Sequence, residues 1–426
     1  HLMTFKIGMI GCGGMGMRHI FGHIELRKHF NDIELTAVCD VHKNVAEKAV
    51  DTIKESGLKK PDIYTDYMEL INSRHLDGVA IVTSTPMHHK IAIASMELGL
   101  HVITEKPMGL TMKACRLMEG SAKRTNRVLA VAENYRRDPI NRLSKALLDS
   151  GVVGDPYFAL DIHASSSRKA VMHSTVWRAK KQQAGGIVLD AGVHNSDMLL
   201  YLMGPAESVY AETSVFEPNR KLMPMVNVAP NLAEMYKHRN EPGFKTGDEV
   251  LQDAIDTGFA LIKFKSGAIG QLVITDTSHG HSLGIETVTG SEGTLFRTQS
   301  RSGKPAKIVF MDGKEVIGEE LLKLVPDFEL DDLTATLWNG RIRIGQYDMQ
   351  FHDTDSRILA YEYMDWVRAI EKSGSPEVGV SEGKNALGLA YSIVESGLSQ
   401  KKVKVSDVIS GEIDDYQKDI NLAEEI

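Results

Sequence analysis

A chain of 426 residues, 42% apolar and 25% charged, is long enough for two domains and has an ordinary globular composition. Its formal net charge of −8 argues against a broad nucleic-acid surface, and no apolar run reaches the length of a membrane span. The three cysteines, Cys12, Cys39 and Cys115, are too few and too scattered for a disulfide framework and suit a reducing, cytoplasmic setting. The chain does not open on a basic region followed by an apolar stretch, so no secretory signal is expected. His1-Leu2 ahead of Met3 reads as an expression remnant.

The first third alternates apolar runs with helical periodicity. Residues 5–10 form a short apolar strand, followed by a glycine loop and a helix over 17–30. A strand over 35–39 ends at Asp40, and a helix over about 44–56 comes next. Further strands are expected over 78–83, 102–104 and 128–132, with a helix over about 89–98 among them. About five strands alternating with helices imply a doubly wound parallel sheet.

The loop "GCGGMG" spaces Gly11, Gly13 and Gly16 as G-x-G-x-x-G, with Gly14 and Met15 inside it. It stands after the first strand and opens the first helix, where a dinucleotide fold needs it. The first glycine permits the tight turn, the second lets backbone approach a pyrophosphate, and the third lets helix pack on strand. Amides at the helix N-terminus then face the phosphates. A carboxylate at Asp40 can accept from an adenosine ribose diol and repels a 2′-phosphate, which favours NAD over NADP. His42 and Lys43 next to it soften that preference.

Three later stretches are more specific: "HVITEKPMGLT", "VAENYRRDP" and "WRAKKQQAGGIVLDAGVHNSDMLLYLMG". With them the chain resembles the glucose-fructose oxidoreductase, inositol dehydrogenase and rhizopine-catabolism family, from Phe5 to about Val405. The shared features are the glycine fingerprint, the triplet Glu105-Lys106-Pro107 and a D-x-G-x-H-x-x-D stretch through Asp190, His194 and Asp197. Thr83-Ser84 stands where the family commonly has Thr-Pro, with His88 in the expected place. Ala184-Gly185-Gly186 replaces a glycine triplet. Neither departure touches the expected chemistry.

The resemblance implies an NAD-dependent dehydrogenase acting on a secondary hydroxyl of a sugar, polyol or glycoside. It implies a Rossmann domain over 3–138 and an α+β domain over 139–412 with a large, mostly antiparallel sheet. Gly11, Gly13, Gly14, Met15, Gly16, Asp40, Thr83, His88, Glu105, Lys106 and Asn134 are the expected cofactor contacts. Lys106, Tyr135, Arg136, Trp177, Arg178, Asp190 and His194 are the expected substrate contacts. His194 is the natural general base, because imidazole titrates near working pH. Asp190, four residues earlier, can share its helix face and tune it. Lys106 can donate to the reacting oxygen. Glu105 anchors the loop, and a cis bond is implied before Pro107. Asp197 caps a helix, orients His194 or touches substrate; Trp177 and Arg178 bind ligand or pack under the glycine loop.

Beyond Pro139 the pattern turns to a helix over 140–150 and antiparallel-type strands with Ser-Gly and Glu-Gly turns. Residues 216–248 form a Pro-, Asn- and Met-rich insertion, expected to cover the substrate pocket or reach a neighbouring subunit. Residues 413–426 read as an acidic tail or surface helix. The family also implies a homo-oligomer, of dimeric or tetrameric order. His19 and His23 have zinc-like spacing but no third ligand, and the His88-His89 and His279/His281 pairs lack a carboxylate or cysteine companion, so no metal is expected. Two other functions fit the same residues. One is an NAD-dependent glycosidase that oxidises a ring hydroxyl transiently, and the other is a catalytically inactive nucleotide-sensing regulator.

Overall fold

The computed structural model describes residues 4–73, 75–236 and 243–426; the expectations for residues 1–3, and for 237–242 of the insertion, lie outside them. The chain divides into two compact units. One comprises His1–Ala132, Met223–Thr246 and His352–Gly383, the other Glu133–Leu222, Gly247–Phe351 and Lys384–Ile426.

The first unit opens with β1 (Phe5–Ile10), α1 (Gly14–His29), β2 (Ile33–Cys39), α2 (Lys43–Glu55), β3 (Asp62–Tyr64) and α3 (Tyr67–Ile71). It continues with β4 (Gly78–Ile81), α4 (Thr85–Glu97), β5 (His101–Glu105), α5 (Met112–Thr125) and β6 (Leu129–Ala132). All six strands are parallel, in the order β3-β2-β1-β4-β5-β6. Every residue of β4 and β6 is buried, as a parallel sheet covered on both faces requires. The sequence reading missed β3, an edge strand of three residues with no buried side chain to signal it. Side chains cap the helices where propensity alone is weak: Asp66 accepts from Met68 N–H, and Thr111 from Ala114 N–H.

The second unit holds α6 (Pro139–Asp149), β7 (Pro156–Ala164), α7 (Ile187–Asp190), α8 (Gly192–Met203), β8 (Ala206–Ser214) and β9 (Asn219–Lys221). Within the insertion lie the short helices α9 (Met225–Val228) and α10 (Ala233–Tyr236). Next come β10 (Glu249–Leu251), β11 (Thr257–Phe264), β12 (Ile269–Thr275), β13 (Leu283–Gly290), β14 (Gly293–Phe296), β15 (Lys307–Phe310), β16 (Glu315–Ile317) and α11 (Asp332–Leu337). The chain closes with α12 (Phe351–Glu371), α13 (Val380–Ser399), β17 (Val403–Lys404), α14 (Val405–Ser410) and α15 (Lys418–Ala423). The nine-stranded sheet runs β16-β15-β14-β13-β7-β12-β11-β8-β17, with only the β7–β12 pair parallel. Helix α8 packs on β7 and β12. The terminal segment does not trail free as a tail, because Tyr416 and Ile420 are buried.

Helix α12 belongs to the first unit despite its distance in sequence. Its Trp366 meets Phe5 edge-on, with centroids 5.4 Å apart, and stands where a side chain at Gly78 would be, 2.6 Å from an ideal Cβ. Leu359 fills the equivalent space at Gly22, and Arg18 of α1 grips Asp355 through Nε and Nη2 at 2.8 and 2.6 Å.

His23 of α1 is buried and its Nε2 accepts from Leu35 N–H at 3.2 Å, which needs the unprotonated ring. Burial, with Arg27 nearby, pushes its pKa down to about 3. A folded state that refuses a proton the unfolded chain accepts is fully stable above about pH 6.5 and loses stability as pH falls towards 3. His23→Gln keeps an acceptor without the titration. Its melting temperature, relative to the unsubstituted chain, is expected to climb as pH drops from 6.5 to 4. Parallel curves would show that the folded ring takes up its proton. Among the described residues no helix is long and apolar enough to cross a membrane.

Candidate active site

The glycine loop follows β1, at the point where the strand order reverses between β1 and β4. Gly11 has φ +100°, and a Cβ there would lie 2.3 Å from the Val82 carbonyl oxygen. A Cβ on Gly16 would lie 2.3 Å from Gly11 O, so the third glycine lets α1 sit directly on the loop. Gly13 has no atom within 4 Å of its Cβ position. The loop therefore pairs two tightly packed glycines with one open one, and the open space borders the amides at the start of α1. The residues fit a dinucleotide pyrophosphate. Asp40 follows β2, its Oδ2 accepting from Cys12 N–H and its Oδ1 from His42 N–H, both at 2.9 Å. The carboxylate is thereby fixed beside the loop.

At the same edge of the sheet, β5 ends in Glu105, and the Lys106–Pro107 bond is cis. Glu105 is buried. Its Oε2 accepts from Lys106 N–H and its Oε1 meets His19 Nε2, both at 2.9 Å; His19 Nδ1 continues to the Tyr363 hydroxyl at 2.8 Å. Burial alone would raise the Glu105 carboxyl, but the His19 hydrogen bond holds it below the usual range. The spacing of His19 and His23 thus serves two separate structural contacts. His88 links Pro107 O (2.9 Å) and Thr83 O (3.2 Å), and burial lowers its pKa. A neutral ring donates once, and the shorter contact, to Pro107, is the one assigned the N–H. Met15 lies in the first turn of α1, and Thr83 Oγ1 donates to Ser84 O.

In the second unit, Asp190 ends α7 and His194 lies in the first turn of α8. His194 Nδ1 stands 2.5 Å from Glu133 Oε1, with both residues buried. Tyr135 stacks flat on the imidazole, centroids 4.2 Å apart and planes within 6°, and Arg301 lies over the tyrosine ring at 5.0 Å. A carboxylate accepting Nδ1–H fixes the tautomer and leaves the basic lone pair on Nε2. Asp190 Oδ2 accepts from Arg178 Nε at 2.8 Å. Arg178 also lies 4.5 Å over Trp177 and donates to Thr175 Oγ1. Gly185 and Gly186 allow this: Cβ atoms there would strike Arg178 O and Ile255 O at 2.5 and 2.6 Å.

Asp197 forms a buried two-point ion pair with Arg136, whose guanidinium also covers Tyr201 at 4.9 Å. Burial raises the Asp197 carboxyl and Arg136 opposes it. Glu133, not Asp197, holds the Nδ1 side of His194. Sequence reasoning passed over Glu133, although it sits in the quoted "VAENYRRDP" directly after β6, on the edge where ligands gather. Asn134 beside it is buried, and its Oδ1 has no hydrogen-bond partner in the protein, so an acceptor is open to a ligand. His279, read as lacking a carboxylate companion, pairs with Glu217 at 2.7 Å.

A glycine loop of this construction, at the switch point of a parallel sheet, is that of a dinucleotide-binding protein. Two family descriptions match: "Oxidoreductase family, NAD-binding Rossmann fold" over residues 5–133, and "Oxidoreductase family, C-terminal alpha/beta domain" over 145–405. The chain belongs to this family, an NAD-binding group of oxidoreductases that includes sugar and polyol dehydrogenases. A levoglucosan dehydrogenase of Pseudarthrobacter phenanthrenivorans is 26% identical over 413 residues, 96% of this chain and 100% of that protein. A solved complex of levoglucosan dehydrogenase with NADH and L-sorbose shares the fold, with a TM-score of 0.74 at 23% identity over 95% of this chain and 100% of that one. A myo-inositol 2-dehydrogenase of Thermotoga maritima is 25% identical over 95% of this chain and 99% of that protein. A glycosyl hydrolase family 109 protein of Shewanella is 32% identical, but over only 41% of this chain and 37% of that one.

Proposed function

We propose that the chain transfers a hydride between NAD and a secondary hydroxyl, or the corresponding ketone, of a sugar, polyol or glycoside. The observation that carries this reading is the buried Glu133–His194 pair under Tyr135, beside an Asp190 held by Arg178. Bound NAD supplies the hydride acceptor. His194 Nε2 takes the hydroxyl proton, and the Glu133 carboxylate stabilises the imidazolium that results. Asp190 accepts from a substrate hydroxyl. Lys106, by its E-K-P setting, donates to the reacting oxygen and favours its alkoxide character.

The test is a screen of neutral sugars, polyols and aryl glycosides with NAD, read two ways. Accumulating reduced nicotinamide with a ketone product supports the dehydrogenase. Aglycone release without net reduction would replace it by the glycosidase reading, which the partial likeness to a glycosyl hydrolase keeps in view. An inactive regulator would do neither, and its site would have no use for a buried carboxylate on a histidine.

Cys12, Cys39 and Cys115 are all buried, and so few and scattered cysteines suit a reducing cytoplasm. A second copy is proposed against the outer face of the nine-stranded sheet, where Tyr210 pairs with Leu261 and Phe158 with Ile269, all four exposed, beside exposed Phe259. Light scattering should then give a multiple of the 47.0 kDa chain mass, reduced to the monomer by Leu261→Glu. A monomer without the substitution would reject the interface.

A further inference from the structure

We propose that Tyr236 walls one side of the pyrophosphate cradle and slows release of the dinucleotide, an inference that rests on NAD binding by the glycine loop. The insertion was expected over the substrate pocket or on a neighbouring subunit. Within its described part, α10 lies against α1 at the glycine loop of its own chain. The β9–β10 ladder closes its base, continued by Leu222 N–H to Asp248 O (3.0 Å) and Gly247 N–H to Leu222 O (2.7 Å). A loop tied at its base has less freedom to lose when its tip docks. Leu232, Met235 and Tyr236 are buried, while Pro224, Val226, Asn227 and Glu234 face solvent.

Helix α10 packs on α1, and the Tyr236 ring lies flat on Gly14. A Cβ on that glycine would fall 2.4 Å from two of the ring carbons. The fingerprint needs glycine at positions 11, 13 and 16 but leaves position 14 unrestricted. The ring is a reason for glycine there that phosphate binding does not supply. One residue earlier the space over Gly13 is open. An aromatic wall therefore borders the gap into which the amides of α1 point. The phenol also lies within electrostatic reach of Arg18, which is itself locked to Asp355.

The experiment is stopped-flow displacement of NADH by excess NAD, followed by nicotinamide fluorescence, on the full chain. Tyr236→Ala is expected to release NADH about tenfold faster and to weaken its Kd by a similar factor, since substitutions at one site act chiefly on dissociation. Tyr236→Phe should stay within about twofold, because the ring face does the covering. Gly14→Ala adds helix propensity, so it tests the contact without removing the ring. Its methyl group should displace the ring and speed release too. Thermal melts of the ligand-free variants check that each has folded. Unchanged release in both Tyr236→Ala and Gly14→Ala would overturn the proposal. Slower release would overturn it as well, by showing that the ring obstructs the cradle. An unsubstituted chain that took up no NADH would reject the NAD-binding reading itself, a different failure.

Discussion

Replacing His194 by alanine is expected to lower turnover about a thousandfold while NADH affinity stays within about twofold. The proposed base is held from two directions. A buried carboxylate holds its Nδ1 and a tyrosine clamps its plane, so Nε2 is presented in one orientation. Glu133→Gln probes the same arrangement from behind. The amide keeps the volume but loses the charge that stabilises imidazolium, and a turnover loss of about a hundredfold is expected at nearly constant KM. Glu133→Ala should be at least as damaging, because it also frees the ring to rotate. Steady-state kinetics with separate NADH titrations decide the matter. Normal turnover in His194→Ala would remove the ring from the chemistry. Normal turnover in Glu133→Gln alone would reduce the carboxylate to a packing role.

The second large effect concerns cofactor choice. Asp40→Ala is expected to shift the ratio of NADH to NADPH affinity by about a hundredfold towards NADPH, roughly 2.7 kcal/mol. Two changes act together. The carboxylate that repels a 2′-phosphate is lost, and the Cys12 and His42 amides that it occupied become donors for an anion. His42 and Lys43 already stand alongside to receive one. Asparagine is the poorer substitution, because its NH₂ would face one of those amides donor to donor. Fluorescence titrations of both reduced cofactors measure the ratio. An unchanged ratio would mean that Asp40 does not meet the ribose.

The parts of the molecule readable from sequence were those whose physics is local. The glycine loop announces itself because turn, phosphate approach and helix packing are solved within six residues, and the buried strands of a parallel sheet are continuous apolar runs. Glu133 was hidden because a carboxylate after a strand looks like any loop acid until the partner 61 residues away is in place. Asp197 misled for the same reason: helical spacing put it near His194, but its charge is matched by Arg136. The insertion has no periodicity to read, and its course shows only in the β9–β10 ladder and the contact of α10 with α1. Edge strand β3 is too short and too exposed to carry a pattern.

The return of α12 has a consequence for the order of events during synthesis. The six parallel strands have all been made once Ala132 is complete, yet the helix that fills the hollows at Gly22 and Gly78 arrives about 230 residues later. At 5–20 residues per second, that is an interval of ~10–50 s in which the nascent nucleotide unit lacks Leu359 and Trp366. Until then Gly22 and Gly78 lack the side chains that cover them in the folded chain. The unit that looks most independent in the sequence is therefore not complete until Gly383 has been added.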